Sequence, residues 1–272
     1  MTVPDNIRRS VVFIGYRLAD ESYRLAGTGF FLGEDDNPKT VRLVTARHVI
    51  NGIAKKGLQE VYIRANWQQG GTAWWLKSML SRWEFCSDTS IDVAMCAGFS
   101  NYSDHSVLPM SRLVTQDILH SHDVGLGDEV FITGLFSHRG GDNRNIPIVR
   151  VGNIACFPEE KIRVKDFGEI EAILIEARSL GGLSGSPVFL NLGPVRQIQG
   201  KLHFANDDKP YYLLGMIHGH FDSRASAIDT PDNEDCLLTE DRVNTGIAIV
   251  VPFAQIEVCF REIVGRAHGH RR

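Results

Sequence analysis

Gly181-Gly182-Leu183-Ser184-Gly185-Ser186-Pro187-Val188-Phe189 is the stretch on which the reading of this chain turns. A serine stands between small residues and is followed at once by apolar, strand-like ones. A nucleophilic serine needs this setting: its hydroxyl must stand clear of the backbone, with neighbouring N–H groups free to face a developing oxyanion. Gly182 carries no Cβ, so its N–H can approach a carbonyl that a larger residue would crowd. A plain turn capping a strand has the same composition. The partners of Ser184 must decide between the two.

Ten histidines compete for the role of base. His48 stands apart because it follows the β-branched run Val41-Arg42-Leu43-Val44-Thr45 directly, where a side chain can be held over a sheet edge. His120/His122, His218/His220 and His268/His270 form HxH pairs that on a strand would share one face. No carboxylate or cysteine sits at a matching ligand spacing, so neither a metal nor a cofactor is expected. Asp92 lies inside the apolar run Ile91-Asp92-Val93-Ala94-Met95 and must find hydrogen bonds there, because an unpaired buried charge is costly. A histidine ring N–H would satisfy it and fix the tautomer that leaves the other nitrogen as proton acceptor. A surface histidine and a turn aspartate, the latter suggested by Asp88-Thr89-Ser90, are the ordinary alternatives.

The 272 residues are enough for a large core, and 43% hydrophobic with 23% charged residues is the composition of a globular protein. A net charge of −4 gives no general attraction to nucleic acid or an anionic membrane. No long apolar stretch follows the N-terminal residues, and no run reaches membrane-spanning length. The five cysteines are scattered and form no CxxC pair. The expectation is a cytoplasmic protein with reduced thiols.

Short apolar and β-branched segments recur along the chain, at Val11–Tyr16, Arg24–Gly33, Glu60–Ala65, Thr72–Lys77 and Ile91–Cys96. After a polar connection over 97–125 they resume at Glu129–Leu135, Ile146–Ile154, Glu171–Ala177, Ser186–Leu190, Tyr211–His218 and Gly246–Val251. Only Ile256–Val264 has clear helical spacing. This is the pattern of an all-β protein with a closing helix. It divides into residues 1–110, carrying His48 and Asp92, and residues 111–272, carrying Ser184.

Thr45-Ala46-Arg47-His48-Val49, Ile91-Asp92-Val93-Ala94 and Gly182-Leu183-Ser184-Gly185-Ser186-Pro187 resemble, in that order, the three signatures of trypsin-like serine peptidases. The HtrA-like and glutamyl-endopeptidase branches are the most similar. Gly27-Thr28-Gly29-Phe30, Gly127-Asp128-Glu129-Val130 and Leu214-Gly215-Met216-Ile217-His218-Gly219 extend the resemblance over most of the chain. It implies two antiparallel six-stranded β-barrels with a cleft between them and a C-terminal helix. It also implies a catalytic triad of His48, Asp92 and Ser184, and an oxyanion hole from the N–H groups of Gly182 and Ser184. Ile217-His218-Gly219-His220 would pair with the backbone of a protein or peptide substrate.

Leu183 departs from the secreted, proteolytically activated members, which carry an aspartate there to receive a new N-terminus. Substrate or a regulatory partner protein would have to set the turn instead. The position of Arg178, Ser179, His218 and His220 relative to Ser184 implies a pocket for an acidic P1 side chain, against the alternative of a small apolar pocket. Phe221–Asn244 reads as a long acidic insertion, either a lid or a solvated loop. Two functions follow: a serine endopeptidase, or a catalytically silent domain of the same fold that binds peptides or partner proteins.

Overall fold

The computed structural model describes residues 2–67, 70, 72–98, 103–136, 139–164, 167–177, 182–204, 211–224 and 242–269. A short helix, α1 (Asp5–Arg9), precedes the first sheet, which is built from β1 (Val11–Arg17), β2 (Tyr23–Gly33) and β3 (Arg42–Thr45). After helix α2 (Arg47–Ala54) come β4 (Glu60–Ala65), β5 (Trp74–Met79), β6 (Trp83–Phe85), β7 (Ala94–Ala97) and the two-residue β8 (Leu108–Pro109). Seven strands run in the order β5-β4-β1-β2-β3-β7-β6, and β8 joins β2 in parallel. The sheet curls without closing, so this unit is a half-barrel of eight strands where six were expected.

Helix α3 (Gln116–Ser121) interrupts the connection, its first turn capped by the Thr115 hydroxyl. The second unit comprises β9 (Glu129–Gly134), β10 (Ile148–Cys156), the hairpin β11 (Ile162–Val164) and β12 (Gly168–Ile170), and β13 (Ile173–Glu176). It continues with β14 (Pro187–Asn191), the hairpin β15 (Val195–Ile198) and β16 (Lys201–Phe204), β17 (Tyr211–Arg224) and β18 (Arg242–Pro252). Six of these close a barrel in the order β10-β13-β18-β17-β14-β9. Phe221–Asn244, expected as an insertion, is partly strand: β17 runs to Arg224 and β18 starts at Arg242, with 225–241 outside the described residues.

Helix α4 (Phe253–Gly269) buries Ile256, Cys259, Phe260 and Ile263, one face at helical spacing. It also reaches the first unit, where the Ser87 N–H donates to Glu262 and Arg266 donates to the Phe85 carbonyl. One continuous apolar cluster runs through both units. No helix among the described residues is long and apolar enough to cross a membrane.

The two units are pinned together at Thr28, which is fully buried on β2. Its N–H donates to the Ser184 carbonyl at 2.9 Å and its hydroxyl donates to the Gly182 carbonyl at 3.0 Å. The same hydroxyl accepts from the Leu135 N–H at 2.8 Å, and its own carbonyl accepts from the Thr45 hydroxyl at 2.7 Å. The glycines of the motif follow from this closeness: a Cβ on Gly27 would meet Val49 at 2.9 Å and the Ser184 carbonyl at 3.1 Å. Thr28→Val keeps the shape but strands two buried polar partners, so we expect a loss of about 1–3 kcal/mol in stability. A urea midpoint equal to that of the wild type would contradict this.

Candidate active site

Asp92 is 1% exposed and lies just ahead of β7, outside the strand that its apolar neighbours suggested. Helix α2 begins after Ala46, which has no side chain able to cap it. Asp92 supplies the cap from a distance: its carbonyl accepts from the Arg47 N–H at 3.3 Å, and its Oδ1 accepts from the His48 N–H at 2.8 Å. The other carboxylate oxygen, Oδ2, lies 2.7 Å from His48 Nδ1. The acid thus fixes both the start of the helix and the ring that the helix carries.

A second imidazole meets the same oxygen. His218 Nδ1 lies 2.5 Å from Asp92 Oδ2, and the two rings stand 5.1 Å apart at 68°. His218 comes from β17, where the pairing with β18 shifts between Ile217 and Gly219. Such a bulge re-aims a side chain, here out of the second unit and onto an acid of the first. An ionised carboxylate only accepts, so both Nδ1 atoms carry a proton, and in a neutral ring the Nε2 is then the acceptor. Burial raises the Asp92 pKa, but donation from His218 and from His48 outweighs it and holds the carboxyl below its ordinary range.

The ligand atoms of His48, Asp92 and His218 lie within 4.8 Å of one another, a separation a metal ion could span. Binding one there would displace the Nδ1 protons and with them both hydrogen bonds to Asp92.

Ser184 sits in the turn before β14. Gly182 and Gly185 adopt φ of +98° and +84°, the region that favours glycine. At Gly185 the requirement is also steric, since a Cβ would come within 2.1 Å of the Thr28 carbonyl. The turn is tied to β17 by Gly185 N–H to the Ile217 carbonyl at 2.8 Å and Ile217 N–H to the Ser186 carbonyl at 2.9 Å. The Ser184 hydroxyl donates to the His218 carbonyl at 3.1 Å. Among the described residues it makes no hydrogen bond to His48.

The fold matches a solved chain described as Deg5, with a TM-score of 0.51 at 18% identity over 93% of this chain and 88% of that one. This is the trypsin-like serine-protease fold. The inactive serine-to-alanine form of Rv3671c from M. tuberculosis H37Rv matches over 97% of this chain and 96% of that one, at 17% identity and a TM-score of 0.47. No protein-family model and no curated protein matches the sequence.

Within this protease fold, His48 and Asp92 are brought together and Ser184 is carried to the same junction by way of His218. The His218 imidazole, expected on the strand beside a specificity pocket, is buried with its Nδ1 turned onto Asp92. Gly219 and His220 lie on β17 opposite Ile249 and Ala248. Arg178 and Ser179 lie outside the described residues. The sequence reading missed Phe167, whose ring stands edge-on to His218 with centroids 5.2 Å apart, and it missed the anchoring role of Thr28. Only the small flanking residues of Thr28 hinted at the latter.

The depressed Asp92 pKa fixes the sign of a pH effect. Its stabilisation is complete above the unfolded-state carboxylate pKa, about 3.9, and is lost as pH falls through the lower folded value. Urea stability measured from pH 6 down to pH 2 therefore declines at the acidic end, and Asp92→Asn reduces that decline. A variant with the same acid limb as the wild type would argue against it.

Proposed function

We propose that this chain is a serine endopeptidase that cleaves peptide bonds through His48, Asp92 and Ser184. The observation that carries the reading is the buried Asp92 carboxylate held 2.7 Å from His48 Nδ1, which selects the tautomer of the neutral ring that has Nε2 as its proton acceptor. Nε2 takes the Ser184 proton as Oγ attacks the scissile carbonyl, and Asp92 stabilises the resulting imidazolium. Among the described residues the N–H groups of Gly182 and Ser184 donate to no protein acceptor, which suits them to the oxyanion of the tetrahedral intermediate. Collapse breaks the C–N bond, and the departing amine receives the proton from His48. Water, deprotonated by the same nitrogen, then releases the acyl group from Ser184.

The pairing of β14 with β17 ends at Met216, so an extended substrate can add along the next residues of β17. Its backbone N–H would compete for the His218 carbonyl and release the Ser184 hydroxyl toward His48. A preference for Glu or Asp at P1 would draw on Arg178, Ser179 and His220, since the Nδ1 of His218 is engaged by Asp92.

The Ser184-to-His218 hydrogen bond favours a second reading, in which the same cleft binds peptides without cutting them. A fluorophosphonate probe separates the two: we expect covalent labelling of the wild type that disappears in Ser184→Ala. A wild type that never labels, with or without added peptide, leaves the binder. Imidazoles ordinarily titrate between about pH 5 and 8. Labelling therefore slows as pH is lowered across that window, and Asp92→Asn slows it by a factor on the order of a thousand or more. A flat profile would remove His48 as the base.

A further inference from the structure

A cavity of about 500 Å³ opens directly beside His48. One wall is a single face of α2: His48, Asn51, Gly52 and Lys55 follow at i, i+3, i+4 and i+7, while Val49, Ile50 and Ile53 turn into the core. The opposite wall is Phe167 with the His218 ring. Two cations border it, Arg47 and Lys55, and none of the described residues lining it is acidic. Asp88, beside the lining residue Thr89, is already engaged by the Ser90 N–H and hydroxyl.

Neither cation is neutralised among the described residues. Lys55 makes no ion pair, and Arg47 is stacked on Phe85 with its carbon 5.0 Å from the ring centre. The Arg47 Nη1 is buried and has no hydrogen-bond partner. Gly52 is a third, independent sign. Glycine weakens a helix interior relative to alanine, yet here it has no positive φ, and an added Cβ would meet nothing within 4 Å. Neither the backbone nor packing calls for glycine there, and its missing side chain leaves the cavity open.

We propose that this cavity is a subsite for an anionic substrate side chain, a carboxylate or a phosphorylated serine, bound between Lys55 and Arg47 next to the reacting bond. The proposal rests on the reading of the cleft as a peptide-binding site and names the class of peptide it takes. Arg47 and Lys55 would supply the counter-charge, and Phe167 would exclude water from one side of the anion. Lys55, as the more exposed group, would make the attraction dependent on salt.

The test uses full-length Ser184→Ala protein, which binds without cutting, and short random-sequence peptide mixtures that differ at one fixed position. That position carries Glu, phosphoserine, Gln or Lys. We expect the anionic mixtures to bind about tenfold tighter than the Gln mixture, with the Lys mixture weakest and the difference shrinking in high salt. Better binding of Glu than phosphoserine, or the reverse, identifies which anion the subsite takes. Lys55→Gln and Gly52→Glu should each reduce the anionic-to-Gln ratio severalfold; the second places a carboxylate in open space on the exposed face of α2. Equal binding of all four mixtures, or no binding of any, overturns the proposal, as does an unchanged ratio in both variants. Fluorophosphonate labelling of the wild type keeps the two readings apart. A protein that labels but does not discriminate loses only the subsite, and one that discriminates but never labels keeps the subsite and loses hydrolysis.

Discussion

The structure is built around a carboxylate that water does not reach. Asp92 has four dealings with its surroundings: its carbonyl and Oδ1 cap α2, and its Oδ2 accepts hydrogen bonds from two imidazoles. Burying a charge is tolerable only when every lone pair is answered. Here the answering groups come from both halves of the chain. His48 arrives on the helix that follows β3, and His218 arrives on a bulged strand of the closed barrel. Satisfying one acid therefore docks two β units and orients the ring on which the proposed chemistry depends.

Thr28 performs the neutral counterpart of this task on the other side of the junction. Its peptide group and hydroxyl hold the carbonyls of Gly182 and Ser184, the end of β9 and the end of β3. With those carbonyls turned toward Thr28, the N–H groups of Gly182 and Ser184 donate to no protein acceptor among the described residues. A turn shaped in this way is rigid where its carbonyls are held and open where a substrate oxyanion would sit. The Ser184 hydroxyl meanwhile rests on a carbonyl of β17, the strand that a substrate backbone would join. In the proposed reaction, substrate binding and activation of Ser184 would thereby be linked through one acceptor.

Much of this was legible in the residues. Short apolar and β-branched runs gave most of the strands, which are buried almost continuously, and Ile256–Val264 gave the core of α4. Asp92 announced itself as an acid amid apolar residues. The short strands β6, β8, β11, β12, β15 and β16 were not legible, because a few residues carry no period. Asp92 itself lies ahead of β7 because its apolar neighbours are buried by packing outside the sheet as well as within it.

The sequence by itself determined the all-β class and the three stretches that hold His48, Asp92 and Ser184, because short apolar runs and a stranded acid are properties of neighbours along the chain. Only the tertiary structure decided that His218 is a second clamp on Asp92, that Thr28 fastens the serine turn, and that Arg47 and Lys55 flank an open cavity. The first two are contacts between residues more than a hundred positions apart, and the cavity joins α2 to Phe167 and His218 from far along the chain. Their geometry depends on how two sheets curl and where one strand bulges, and no local pattern encodes that.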